Sequence, residues 1–373
     1  MKKPMALLLA IIMAVALTAC SANIRSSKVT APTINDIHNL ATGEGKTVGI
    51  CMPNDGLYWA NGAQILKTSL EERQYTVTVC YAQNEIAQQV SQLKQFVDDR
   101  VDCLVVAPID SVVLVELEES AEKAGIPIIA YDRLLMDTNA VDAMVTFDYT
   151  GIGAVMAQHI VQAKQLQTAA KEKRSYTIEF FMGSADDNCA VLLHGGVLSV
   201  LQQYLDSGVL KCKTGRTSFE DTYIQRWSAD TAQNKCLDYL GNAYKNQTLD
   251  IVCAASDELA AGVIRALEKK GYSGSKWPLI TGQGGALEAV KNVLSGKQIM
   301  TVYKDTATMA KKCADIVHAL VFGQPPEVND TASGNNHVIV VPAYVAKAVP
   351  VDINNYTEVL VKTGIYEEKQ LAG

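Results

Sequence analysis

From Thr47 onward, short apolar runs rich in β-branched residues alternate with longer stretches whose apolar positions recur every three or four residues. That alternation predicts strands and helices in turn, the pattern of a parallel sheet wrapped by helices. Strands are expected over 47–52, 75–80, 103–107, 127–131 and 144–147. Between the first of them, Trp59, Ala63, Leu66 and Leu70 mark one helical face, and Ile86, Val90, Leu93 and Val97 mark another. A second series follows, with strands over 176–182, 209–213, 251–254, 278–281 and 299–302. Its helices include 191–204 and the stripe Leu259, Val263, Ala266. The pattern predicts an α/β chain of two similar, doubly wound halves, and 373 residues are enough for two cores.

The first residues follow another rule. Lys2 and Lys3 precede an apolar run over 6–17 that ends in Leu17-Thr18-Ala19-Cys20. Such a run falls short of the ~20 residues of a membrane span and reads as an export signal. Cysteine after Leu-Thr-Ala resembles the lipobox of bacterial lipoproteins, which implies that Cys20 is lipidated and becomes the first mature residue; an ordinary signal peptide is the alternative. Residues 21–45, rich in Ser, Thr, Asn and Gly, read as a flexible tether between anchor and folded body. Both readings place the mature chain outside the cytoplasm.

Composition removes several classes. With 33 basic and 40 acidic residues the net charge is -7, which argues against a nucleic acid as partner. Besides Cys20, cysteines such as Cys51, Cys80, Cys103 and Cys253 lie in strand-like runs without CxxC spacing. They read as small buried hydrophobes, with disulfides of unassigned pairing as the alternative. His38, His159, His194, His318 and His337 lack ligand spacing, so no metal is expected. Gly151-Ile152-Gly153 is only a fragment of a dinucleotide turn, and no Walker motif or spaced nucleophile and base occurs. Neither cofactor nor enzymatic activity is expected.

In doubly wound sheets ligands bind beyond the carboxyl ends of the strands. Here those ends carry Asn54-Asp55, Asp110, Asp132-Arg133, Asp148, Asp186-Asp187-Asn188, Ser256-Asp257 and Gln283. Facing each other, they would line a cleft with carboxylates, amides and a guanidinium, which suits a polyhydroxyl ligand better than a phosphate. Sugars need paired planar hydrogen-bonders for the ring's rim and aromatic plates for its faces. Asp132-Arg133 supplies an acceptor pair and a donor fork, or else a surface ion pair. Trp59 and Trp227 could bracket a ring from opposite halves, although each alone also reads as packing; Trp277 reads as packing only. Asp186-Asp187-Asn188 and Asp257-Glu258 open helices, where capping competes with binding as the explanation.

These residues sit in segments similar to a known family. AYDRLL from Ala130, TFD from Thr146, GSADDN from Gly183, YLDSG from Tyr204, RWSADTA from Arg226, TVYKDT from Thr301 and PEVNDT from Pro326 resemble the type I sugar-binding proteins of bacterial ABC importers, in the multiple-monosaccharide-binding and xylose-binding branch. The resemblance spans Lys46 to the C-terminus. It implies two Rossmann-like domains joined by a three-segment hinge, with crossings near Asp148, Lys304 and Val328. The first lobe would be 46–148 plus 304–328 and the second 149–303 plus 329–373, with the helix of Met309, Cys313, Ile316 and Leu320 on the first. It further implies ligand contacts from Trp59, Asp132, Arg133, Asn188, Trp227, Asp257 and Lys304. The ligand would be an aldose-like monosaccharide, the partner an ABC permease or a membrane sensor, the membrane link a lipid anchor, and the protein a monomer.

Four positions depart from that family. Gly284 stands where similar proteins carry the acid of GQD, Tyr58 where many have a basic residue, Cys189 where a second Asn stands, and Ser256 where Asn precedes the acid. The expectation is an altered saccharide preference, toward a ligand lacking or modifying one hydroxyl.

Overall fold

The computed structural model describes residues 42–371; Cys20, the export signal and the tether up to residue 41 lie outside the described residues. The chain begins with β1 (Thr47–Met52), α1 (Leu57–Glu71), β2 (Thr76–Tyr81), α2 (Ile86–Asp98), β3 (Cys103–Val106), α3 (Val115–Lys123), β4 (Ile128–Tyr131) and β5 (Ala143–Phe147). It continues through α4 (Tyr149–Ala163), β6 (Tyr176–Phe181), α5 (Asn188–Asp206), β7 (Leu210–Lys211), α6 (Ala229–Gly241), β8 (Ile251–Ala254), α7 (Asp257–Lys269), β9 (Leu279–Ile280) and α8 (Leu287–Leu294). It goes on through β10 (Thr301–Lys304), α9 (Thr306–Val321), β11 (Ala343–Ala346) and β12 (Ala348–Val351) to two short helical segments, Thr357–Val361 and Glu368–Leu371.

These elements build two α/β lobes. One holds a six-stranded sheet in the order β11-β5-β4-β3-β1-β2, and the other a four-stranded sheet in the order β7-β6-β8-β9. Neighbours in both are parallel, as in the register Val48↔Val77 and Ile178↔Ile251. Strands covered by helices on both faces must be apolar throughout, and β3, β4 and β8 are buried along their whole length. The α1 face predicted from spacing, Trp59, Ala63, Leu66 and Leu70, is buried as expected. On α2 the buried stripe is Gln89, Leu93 and Phe96, with Val90 and Val97 packed at its margin.

The chain passes from the six-stranded sheet to the second lobe after Phe147 and returns after Lys304, where α9 packs on α1 and puts Met309, Cys313 and Ile316 into the core beside Leu66 and Leu70. The third passage differs from the expectation. Residues 329–346 stay with the first lobe rather than joining the second: β11 pairs with β5, and Asn336 donates to the carbonyls of Leu135 and Thr138. The crossing lies at Lys347, because β12 then pairs antiparallel with β10. The run Ala343 to Val351 looks like one strand, but its halves satisfy their backbone groups on different partners.

The eight cysteines among the described residues are free thiols, and all but Cys80 and Cys212 are buried. Among the described residues no helix is long and apolar enough to cross a membrane.

Candidate functional site

Strand β4 ends at Tyr131 and the chain turns at once. Asp132 has φ 66°, a left-handed conformation that side chains other than glycine adopt at a cost. The neighbours hold it there: its N–H donates to the Val145 carbonyl (2.7 Å), the Thr146 hydroxyl donates to its carbonyl (2.8 Å), and the N–H of Arg133 donates to the Tyr131 carbonyl (2.8 Å). The turn aims both the Asp132 carboxylate and the Arg133 guanidinium at the second lobe.

There Asp187 waits at the N-cap of α5. Its Oδ1 accepts from the N–H of Cys189 at 2.9 Å, and its Oδ2 pairs with Arg133 Nε at 2.8 Å and accepts from Trp227 Nε1 at 3.0 Å. The ion pair joins the lobes and is nearly dry, with side-chain exposures of 12% for Arg133 and 2% for Asp187. Arg133 also donates to the Pro108 carbonyl (3.1 Å), and its guanidinium lies 5.1 Å from the Trp59 ring centroid. Trp59, Arg133, Asp187 and Trp227 therefore form one chain of contacts, with an indole from each lobe at its ends.

Trp227 reaches this position through two left-handed residues, Arg226 (φ 57°) and itself (φ 55°), and through Gly183, where a Cβ would lie 2.1 Å from the indole. Arg226 is tied to Asp186, to which Gln225 also donates (2.6 Å). Farther along the rim the Ser111 N–H donates to the Asp186 carbonyl at 3.2 Å, a second direct bond between lobes.

Lys304 ends β10 beside this chain. Its ammonium donates to the Tyr149 hydroxyl (3.1 Å), which donates to Asp132 Oδ1 (2.6 Å), and it lies 4.1 Å from the Tyr58 ring centroid. Burial lowers the Lys304 pKa, against the pull of Asp132. Burial, with Asp132 close by, pushes the hydroxyls of Tyr58 and Tyr149 well above the usual tyrosine range, so both stay protonated. Asp187 is pushed up by burial against Arg133, while Arg133 is held above its ordinary value because Asp187 and Asp132 together outweigh its burial. Both move up, for different reasons: two carboxylates favour the charge on Arg133, whereas burial and the like-charged Asp132 disfavour the charge on Asp187.

Of the expected residues, Trp59, Asp132, Arg133, Trp227 and Lys304 converge on this cluster. Asn188 is half-buried at the first position of α5. Asp257 is buried but occupied within its own lobe: the Thr301 hydroxyl donates to its carboxylate (2.8 Å), as do Gln298 Nε2 (3.3 Å) and the Ala286 N–H (3.1 Å). Gly284 has φ 134°, and a Cβ there would stand 3.2 Å from Asp257 Oδ2. Ser256 is the N-cap of α7, accepting from the Leu259 N–H at 3.1 Å, and the Cys189 thiol donates to the Asp132 carbonyl at 3.4 Å. The sequence had placed Asp187 at a strand end within Asp186-Asp187-Asn188 but named Asn188 as the contact, and it had not singled out Tyr149. A cavity of about 470 Å³ between β2 and α2, lined by Thr76, Thr78, Cys80, Gln92 and Gln95, lies on the outer flank of the first lobe and belongs to none of this.

Among the described residues, buried polar atoms without partners include the hydroxyls of Tyr58, Ser111 and Tyr131, Asp186 Oδ1, Gln283 Oε1 and both carboxylate oxygens of Glu118. Such atoms are costly unless a ligand or water meets them. Among the described residues no cluster of side chains is fit to hold a metal ion.

Residues 48–325 match the periplasmic binding protein domain family. The chain belongs to that family. It is 37% identical over 328 residues to the multiple sugar-binding periplasmic receptor ChvE of Rhizobium radiobacter, covering 87% of this chain and 92% of that one. It is 31% identical over 331 residues to the D-xylose-binding periplasmic protein of Escherichia coli, covering 87% and 93%. An ABC transporter solute-binding protein from Clostridium phytofermentans, solved with bound β-D-glucose, superposes with a TM-score of 0.83 at 37% identity, covering 87% of this chain and all of that one. The periplasmic binding protein fold described above is thus a type I solute-binding fold of the sugar-binding ABC-importer group, a non-catalytic class that works outside the cytoplasm.

Proposed function

We propose that this chain is a lipid-anchored solute-binding protein that captures a neutral monosaccharide between its lobes and delivers it to an ABC permease. The supporting observation is the cross-lobe cluster in which Asp132, Arg133 and Trp59 meet Asp187 and Trp227, with Lys304 beside them. Two carboxylates balance two cations in a buried space, so a charged ligand would leave an uncompensated charge there, whereas a neutral polyol meets donors, acceptors and two indole plates. The relatives are consistent: one is named for multiple sugars, another for D-xylose, and a third was solved with β-D-glucose.

The mechanism is closure. An open form exposes each half-site to water, and a sugar that touches both favours the closed form by its differential affinity for that state. The Arg133–Asp187 pair and the Ser111–Asp186 bond form only when the lobes meet, so the closed surface reports occupancy to the permease. Cys20 would carry the anchor, and its replacement by serine would release the protein from membranes. Titration calorimetry with D-glucose, D-xylose, L-arabinose, glucose 6-phosphate and glucuronate tests the reading: heat is expected from neutral sugars only, with compaction by small-angle scattering. Binding confined to the phosphate or the acid, or no compaction with any bound sugar, overturns it.

A further inference from the structure

Lys304 is enclosed by aromatic rings. Its Nζ lies 4.1 Å from the centroid of Tyr58, 5.2 Å from Tyr149 and 5.3 Å from Phe147. These rings come from α1, from the start of α4 and from the end of β5, so both lobes and the crossing strands contribute. The ammonium has three N–H donors, and its hydrogen bond to protein is the one to the Tyr149 hydroxyl (3.1 Å). That hydroxyl spends its own proton on Asp132 Oδ1 (2.6 Å). The outcome is a line, ammonium to phenol to carboxylate, that spans the hinge.

We propose that Tyr149 is a positioning residue of the saccharide site: its hydroxyl binds Lys304 and Asp132 into one line, leaving Asp132 Oδ2 and the Tyr58 hydroxyl as the groups that meet the sugar at this edge. This deepens the monosaccharide reading and rests on it. Without Tyr149 the carboxylate is free to turn on its χ2 axis, and an orientation cost is added to each binding event. The direction of each bond is fixed, because a phenol that stays protonated has one proton to give and Lys304 can only donate. Tyr58 complements the line. Its hydroxyl is buried close to the Asp132 carboxylate but not in good hydrogen-bond geometry with it, and its ring covers the face of Lys304, so the cation is screened from the ligand and acts through Tyr149. The site thereby offers a neutral hydroxyl where a free ammonium would otherwise attract an anionic substituent.

The test uses the full chain and Tyr149→Phe, which keeps the ring over Lys304 and removes only the joint, together with Lys304→Met and the double variant. D-glucose affinity is measured by calorimetry, and acetylation of Lys304 by an N-hydroxysuccinimide ester is followed by mass spectrometry, with exposed Lys173 as internal reference. Tyr149→Phe is expected to weaken D-glucose about tenfold and to speed Lys304 acetylation several-fold, and the double variant to bind no worse than the weaker single one. Additive losses in the double variant, or unchanged acetylation, would overturn the inference. If the wild type does not bind D-glucose, the sugar chosen is at fault rather than the line, and the acetylation ratio alone decides for or against Tyr149.

Discussion

Asp187 is the residue whose loss separates binding from folding most cleanly. Replacing it with alanine removes the acceptor for Arg133 Nε (2.8 Å), for the Trp227 indole (3.0 Å) and for the N–H of Cys189 (2.9 Å). The last is a helix cap present in open and closed forms alike, worth about 1 kcal/mol, and its loss lowers thermal stability by a few degrees. The first acts only when the lobes are together. Stranding one partner of a buried ion pair costs about 3 to 5 kcal/mol. The Pro108 carbonyl and the Trp59 face still hold the guanidinium, so the lower end applies. At ~1.4 kcal/mol per factor of ten, that is a loss of roughly a hundredfold in sugar affinity. Asp187→Asn keeps a neutral acceptor for the indole and the cap and is expected to lose about tenfold. The assay is calorimetry with D-glucose at neutral pH, paired with thermal unfolding without sugar. Wild-type affinity in Asp187→Ala accompanied by a large fall in melting temperature would refute the reasoning, since the pair would then be part of the fold and not of closure.

Other outcomes follow from the same geometry. Glu118 on α3 is buried with both carboxylate oxygens unpartnered, and burial raises its pKa from 4.5 to about 8. Between those values the folded chain keeps a proton that the unfolded chain has lost, so stability falls as pH rises through this window, by a few kcal/mol at ~1.4 kcal/mol per pKa unit. Glu118→Gln should flatten the slope of melting temperature between pH 5 and pH 8, and an unchanged slope would assign it elsewhere. Gly284→Asp forces a side chain into φ 134° with its Cβ 3.2 Å from the Asp257 carboxylate. That should lower the melting temperature by several degrees without improving affinity for common aldoses, and an unstrained, tighter-binding variant would contradict the backbone argument.

The local pattern was read well where burial and strand length coincide: β1 and β8 fall on the residues anticipated, 47–52 and 251–254. It failed where a partner distant in sequence decides. Ile299 and Met300 are apolar, yet the ladder of β10 begins at Thr301, where β12 supplies its hydrogen bonds. Strand β11 was hidden for the same reason, because its pairing with β5 joins residues 343 and 144. Within the cluster, Asp132, Arg133 and the two tryptophans stood out at strand ends, but an ion pair or packing explained them equally well there, and it was the resemblance that singled them out. Asp187 was weighed only as part of Asp186-Asp187-Asn188, where capping competed with binding, and here its side chain both caps α5 and pairs with Arg133. Tyr149 carries no motif of its own, and only the three-dimensional approach of Asp132 and Lys304 gives its hydroxyl a task.

The placement of β11 also constrains how the molecule can be made. The first lobe's sheet acquires its outer strand only at residue 346, after nearly all of the second lobe has been synthesised. A growing chain thus cannot finish its N-terminal lobe and move on, as domains built from contiguous segments do. The two lobes mature together, late, through contacts of long sequence separation, which slows folding. For the exported chain of the proposed function, that delay would keep the polypeptide threadable.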